Sequence, residues 1–471
     1  MHAGHSGVHS FFIQKTNIIR VINTDLDYNK DNNRLDYRDW FEKREETMKP
    51  ETLLQEAKDI QETIIRQRRY LHTHPGCGFD IAETKDFVKK ELEEMGYAPE
   101  DCGRCGLVAL AGRGAGNGPA GDKDTQGGKV FLLRADMDGL PIREEADVEF
   151  PSTNGKMHAC GHDMHTAMLL GAARLLKEHE DEIEGTVKLM FQPAEEVFQG
   201  SHDMIEAGLL ENPKVDAALM IHVMAGMPFP AGTMVVSAPG VSAPAADLFE
   251  IRVQGKGCHG SMPNTGIDPL NAAAHILIAL QEIQTRELPM GERAVLTIGT
   301  MNAGTAPNVI PDVVVMGGSL RTFDGETRAF IKKRMEEIAE GTARLFRASA
   351  SVHYTSGCPT LINDKELSAC VSGYVKELLG PDKAFSVGEL NAMSASSDAS
   401  GSSKSAGSED FAYVSQEVPS IMLALAAGQP EKGYVYPQHH PMVKFDEDAL
   451  AGGSAVYAYT AMRWLEEHRG E

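Results

Sequence analysis

Residues 165–196 read HTAMLLGAARLLKEHEDEIEGTVKLMFQPAEE. From His165 to Ile183 the apolar side chains follow helical spacing. After Gly185 that spacing stops, and a short apolar run ends at Pro193 with two glutamates behind it. The stretch predicts a helix that feeds a buried strand, and the strand ends in acid. Its neighbours repeat the theme. TKDFVKKELEEMGY (84–97) predicts an amphipathic helix. KVFLLRADMDGLPI (129–142) contains a buried-type strand at Val130–Leu133, and VDAALMIHVMAG (215–226) is another strand. This alternation of strand and helix predicts an α/β fold, a mainly parallel sheet covered by helices on both faces. Sites in such sheets gather at the carboxyl ends of the strands. Asp136, Glu195 and His222 each lie at or just after the end of an apolar run.

The wider composition limits what this fold can serve. The chain has 471 residues, which suggests two domains or one large domain with an insertion. A net charge of -23 argues against nucleic acid, where a lysine and arginine surplus is needed. It equally disfavours an anionic membrane surface. No run of eighteen apolar residues predicts a membrane span, and the N-terminus lacks the pattern of a signal peptide. Seven scattered cysteines suggest a reducing, cytoplasmic setting. Residues 1–47 are polar and Asn/Asp-rich, so they are expected to be a disordered or artefactual extension, with Met48 the natural start. From Met48 to Pro75 apolar residues sit near helical spacing.

The pattern changes near residue 244. DLFEIRVQGKG (247–257) is a strand and DPLNAAAHILIALQEIQTREL (268–288) a helix. ERAVLTIGTMNAG (292–304) and VIPDVVVMGGSLRTF (309–323) are strands. A helix over 325–349 and a strand over 350–357 complete the order β-α-β-β-α-β, the ferredoxin-like arrangement. The expected organisation is a catalytic, metal-binding domain of 48–243 and 354–471, with a lid inserted at 244–353. Two flexible loops are expected, a Gly-rich one at 113–128 and a Ser-rich one at Ser394–Asp410.

The residues able to do chemistry begin with MHACGHDMH (157–165). Cys160 and His162 can converge on one centre if Gly161 turns the chain, and a thiolate with an imidazole suits a first-row divalent ion. A buried cysteine and a packed histidine are the plainer explanation. Glu195 and Glu196 could be a solvated acidic loop. Alternatively one binds metal while the other acts as general base, which needs a bend, since neighbours on extended backbone point apart. His222 could be a satisfied core histidine, and His439 with His440 a surface turn. Together these donors suffice for two cations sharing a bridging ligand, a geometry that activates water.

The segments MHACGHDMH, FQPAEE, RADMDGLPI, GKGCHGSMP, APNVIP, GSEDFAY and HHPMVKFDEDAL give the chain its likeness. From Met48 onward it resembles the metal-dependent amidohydrolases of the aminoacylase–carboxypeptidase group, in the branch of hippurate hydrolase and indoleacetyl-amino-acid hydrolase. The resemblance implies two divalent metal ions per subunit (Mn, Zn, Co or Ni) held by Cys160, His162, Glu196, His222 and His439, with Cys160 bridging. It implies Glu195 as general base and Asp136, Asp138 and Asp163 as residues that orient the ligands. His259 corresponds to a histidine that meets the developing oxyanion, in relatives often from the partner subunit. Asn308 and Arg321 correspond to lid positions near the substrate carboxylate.

The implied reaction is hydrolysis of the amide bond of a small N-acyl-amino acid, in a homodimer formed through the lid. A dipeptidase or carboxypeptidase of the same group is an alternative, and a non-catalytic binding protein on the same fold is another. HPGCGFD (74–80) departs from the usual acidic pattern and introduces Cys77, which suggests a different substrate branch. Cys102 and Cys105, in CGRC, read as coincidence rather than a metal or redox pair.

Overall fold

A computed structural model describes residues 48–112, 128–394 and 407–470. The expectations for 1–47, for almost all of the Gly-rich loop and for residues 395–406 fall outside the described residues.

Eight strands build the central sheet: β1 (Glu100–Cys102), β2 (Gly106–Gly112), β3 (Val130–Asp136), β4 (Thr186–Gln192), β5 (Ala217–Met224), β6 (Met234–Val236), β7 (Ala384–Ser386) and β8 (Ser420–Ala426). Their order is β1-β2-β4-β3-β5-β8-β6-β7. The central run β4-β3-β5-β8 is parallel, as is β6-β7. The pairs β1-β2, β2-β4 and β8-β6 are antiparallel. Every residue of β3 and β4 is buried, as strands covered on both faces require. Helices His162–Glu178 and Leu450–Glu467 pack on each other and contribute many of the buried apolar side chains of the main core.

The elements depart from the sequence expectation in ways the contacts explain. β3 runs to Asp136, past the apolar residues, because Arg134 and Asp136 pair inside the sheet at 2.8 Å. The N-terminal helical region is two helices, Pro50–Asp59 and Gln61–Thr73. Ile60 breaks them with ψ 2°, while its N–H still donates to the carbonyl of Glu56 at 3.1 Å. The hairpin β1-β2 contains CGRC and extends the sheet on its antiparallel side. Cys102 and Cys105 point their thiols at separate backbone carbonyls, those of Met204 and Phe79.

The inserted segment forms a second, four-stranded antiparallel sheet. Its order is Ala294–Ala303, Val313–Thr322, Ala245–Gln254, Ser349–Cys358. Burial alternates along Ala245–Gln254, so one face is packed and the other open. Helices Pro269–Ala279 and Gly325–Leu345 cover the packed face. Ile331, Met335, Ala339 and Ala343 recur every four residues and form the buried stripe of the longer helix. Asp268 and Asp324 cap the two helices by accepting N–H groups of their first turns. The chain leaves for this sheet through Gly240–Ala243 and returns through Leu361–Asn363, and these two segments pair with each other.

Candidate metal centre

The strand ends and loops of the central sheet bring the donors together. β3 ends on Asp136. β4 ends at Gln192, and the bend that follows is made at Ala194, whose φ is 55°. Asp138 then accepts the N–H groups of Glu195 and Glu196 on its two carboxylate oxygens, at 3.0 and 3.3 Å. A left-handed residue and one bidentate acceptor therefore turn two adjacent glutamates toward one place. Gly161, with φ 94°, turns the chain between Cys160 and the helix that opens at His162. His222 lies within β5. His439 also has a left-handed backbone, φ 65°, and its N–H is held by the carbonyl of Ala159.

Cys160 Sγ lies 3.6 Å from His222 Nε2. His222 Nδ1 donates to the carbonyl of Val223 at 2.7 Å, which leaves Nε2 as a lone pair facing the thiol. Glu196 Oε1 is 3.5 Å from His439 Nε2 and 3.8 Å from His162 Nε2. Glu195 Oε2 lies 3.9 Å from the same His162 nitrogen. Asp136 and Asp138 approach His162 at 3.5 and 3.6 Å. His440 turns away, stacking on Tyr436 and accepting the N–H of Met442.

Charge at this place is poorly balanced without a cation. Burial drives the Cys160 thiol up to about 12, with Glu196 adding to it. Burial also lifts Glu196 to about 7, and burial with the nearby Glu409 lifts Glu195 well above the usual carboxylate range. Burial works against protonation of His162, but Asp136 and Cys160 outweigh it and raise its pKa. Both nitrogens of His162 and Oε1 of Glu196 are buried with no hydrogen-bond partner among the described residues. Unsatisfied, mutually repelling acceptors of this kind fit divalent cations, which replace protons on the ligands and satisfy the lone pairs. The donor set of one thiolate, imidazoles and carboxylates matches first-row divalent ions.

The other sequence candidates sit elsewhere. Asp163 turns from the cluster to Arg68 at 2.7 Å and His72 at 2.9 Å. Those cations outweigh burial and hold its pKa far below the usual carboxylate value. His259 is exposed on the inserted segment, where its Nδ1 accepts the N–H of Ser261. Asn308 is brought beside it, since Val309 pairs with His259 in a short ladder. Arg321 donates through Nη1 to Ser408 Oγ at 2.5 Å. Neither His259 nor Arg321 has a hydrogen bond to the donor cluster.

Sequence reasoning missed a buried network behind Glu195. Arg134 donates to Asp136, Gln192, Glu409 and, at 3.3 Å, Asp410. Asp410 also accepts the N–H of Ser201. An oxygen of Glu195 lies within 4.8 Å of the carboxylates of Glu409 and Asp410. The available signals were an arginine inside an otherwise apolar strand and the acidic pair of GSEDFAY. His165 was missed too. Its Nε2 accepts the N–H of Val223, so Nδ1 carries the proton and donates to Asp136 at 2.7 Å.

A cluster of soft and hard donors at the carboxyl ends of a parallel sheet, in a chain that also carries an inserted antiparallel sheet, defines a metal-dependent hydrolase architecture. The sequence profile of peptidase family M20/M25/M40 matches residues 132–463. The chain belongs to that family. It is 35% identical to the IAA-amino acid hydrolase ILR1-like 2 of Arabidopsis thaliana, over 88% of each chain. It is 34% identical to the N-acetyl-L-cysteine deacetylase of Bacillus subtilis, over 90% of this chain and 93% of that one. Among solved structures it is similar to a dinuclear metal binding peptidase of this family from Bacillus subtilis. There the TM-score is 0.66 and the identity 33%, covering 87% of this chain and 99% of the other.

Proposed function

We propose that this protein hydrolyses the amide bond of N-acyl-amino acids to a carboxylate and a free amino acid, with two divalent ions bound. The family and its hydrolases support an enzyme acting on amide bonds. The observation that carries the proposal is Glu195. It is a buried carboxylate with a raised pKa, next to a donor set built for cations and not itself needed to complete that set.

Cys160, His162, Glu196, His222 and His439 would hold the ions, with Cys160 shared. When bound, such ions supply Lewis acidity and lower the pKa of water toward neutrality. Glu195 then takes the proton of the attacking water and returns it to the leaving amine. Asp138 keeps Glu195 and Glu196 aimed by holding their N–H groups. Asp136 fixes the His165 ring, which in turn holds the backbone N–H next to His222. His259 is assigned to the developing oxyanion. Asn308 and Arg321 are assigned to the substrate carboxylate, for which a planar guanidinium is suited. The His259 side chain is exposed and, among the described residues, bonds only Ser261 in its own turn, which supports a homodimer in which it serves the partner's cleft. The proposed division is a catalytic body of 48–243 and 354–471 with a lid of 244–353. All seven cysteines are unpaired, which supports a reducing, cytoplasmic setting.

The test is a panel of N-acetyl-, benzoyl- and unblocked dipeptide substrates with Mn, Zn, Co and Ni added singly. Turnover of the blocked amino acids is expected. Preference for unblocked dipeptides would assign a dipeptidase instead. Glu195→Gln should lower kcat by roughly 100- to 10,000-fold with metal content unchanged. Near-normal turnover would remove Glu195 from this role.

A further inference from the structure

Behind the donors lies a second buried group of charges that the proposed reaction does not use. His72, in the helix Gln61–Thr73, is 3% exposed. Its Nδ1 lies 2.9 Å from Asp163 Oδ2 and its Nε2 lies 3.0 Å from Glu144 Oε1. Both partners are carboxylate oxygens, which only accept. Satisfying both contacts takes a proton on each ring nitrogen, so His72 is an imidazolium.

Each contact leads to a different part of the metal centre. Asp163 is the residue after His162 and sits in the first turn of its helix. Glu144 lies in the segment 141–156. The N–H of its neighbour Glu145 donates to the carbonyl of Pro441 at 2.8 Å, two residues beyond His439. Arg68 reinforces the arrangement from the same helix as His72. It donates to Asp163, and with Arg69 it donates to Glu447 in the turn that follows Pro441. The ring of Phe150, from the same segment as Glu144, lies against His72, Arg68 and Arg69 and shuts water out.

We propose that His72 is a positioning residue that sets the spacing between the Cys160–His162 donors and the His439 turn through its paired contacts with Asp163 and Glu144. The two parts of the chain are far apart in sequence, and His439 is the most exposed of the proposed ligands. Besides bonds within the turn itself, its turn is tied to the rest of the described chain by its own N–H to Ala159, the Gln438 side chain to Val223 and Met224, and Glu145 to Pro441. Loosening the Glu145 bond therefore acts first on the ion that His439 helps to hold.

The inference rests on the metal-ligand assignment above, and one experiment separates the two. Bound divalent ions are counted by elemental analysis, and their affinities are measured by calorimetry with Mn, on the wild type, His72→Asn and Glu144→Gln. Asn places its amide near Nδ1, so it keeps the Asp163 contact and drops the Glu144 contact. The wild type should bind two ions. In both variants the weaker ion should bind roughly 10- to 100-fold less tightly, while the tighter ion is unchanged. Their lost kcat should return when Mn is raised, and the double variant should be no worse than either single one. A wild type that binds no ion sinks the ligand assignment. A wild type with two ions and variants with the same two affinities sinks the role of His72. Should His72→Asn not fold, Glu144→Gln alone decides, since it keeps the shape of the side chain.

Discussion

At Gly161 the backbone takes a conformation that other L-residues enter only with strain. A Cβ there would also overlap the Val223 side chain and crowd the Phe445 ring. The turn at this position is what lets Cys160 and His162 face one centre although they are two residues apart. Gly161→Ala should cost about 1–3 kcal/mol in stability and displace both donors. Urea unfolding together with metal analysis measures this, and the expected result is a lower midpoint and loss of at least one ion. Cys160, His162, Glu195 and Glu196 stood out because they flank a glycine turn or follow an apolar strand. His222, inside β5, and His439, in a turn before Pro441, fit a core histidine and a surface turn as well, and were pointed to by the family resemblance. Arg134, Glu409 and Asp410 were not. Their pairing joins positions 275 and 276 residues apart, and no local pattern records such a contact.

Among the elements, β4 shows how a strand buried on both faces can hold a lysine. Lys188 is 2% exposed, and its ammonium donates to the carbonyls of Leu209, Glu211 and Pro213, each at 2.8 Å. Burial lowers its pKa to about 8, so it stays charged at neutral pH with three acceptors for three donors. Lys188→Met should leave those carbonyls without that donor and cost about 2–3 kcal/mol, read as a shift of the urea midpoint. The end of helix His162–Glu178 offers a pH-dependent contact. His179 reaches Glu182 and Glu56, each at 2.8 Å, and these bonds outweigh burial and raise its pKa. Its stabilising effect is complete below the unfolded value of about 6.5 and is lost as pH rises through the folded value. The melting temperatures of wild type and His179→Gln should therefore differ at pH 6 and converge above that folded value. β6, β7 and β8 were not singled out, whereas β3, β4, β5 and the helix His162–Glu178 were legible because burial leaves continuous apolar runs. The hairpin β1-β2 was not, since it pairs at the sheet's antiparallel end, where nothing constrains the run length.

In the whole molecule, the ions and the fold support each other. The proposed ligands come from the turn and start of one helix, the bend after β4, the strand β5 and a C-terminal turn, so cations at their centre would tie together segments from Cys160 to His439. A ligand that binds only the folded state adds about 2.7 kcal/mol at one hundred times its Kd. Chelation should therefore abolish turnover and lower the melting temperature together, and restoring one suitable ion should restore both. An unchanged melting temperature on chelation would mean that the donors hold no stabilising ion. The ferredoxin-like order of the inserted segment was readable from strand and helix periods alone. Which residues of that segment meet substrate was not: His259 and Asn308 are brought side by side by the short ladder at Val309, and Arg321 bonds Ser408, pairings that no strand or helix period records.

The strands Gly240–Ala243 and Leu361–Asn363 make both crossings between the two sheets, and they lie side by side with Val241 opposite Ile362. Two straps fixed to the same jamb leave a door one easy swing, about the line of the straps. Sliding and twisting would shear the ladder between them. Any swing of the inserted sheet against the central one would thereby be channelled along a single arc, about the line where Val241 meets Ile362.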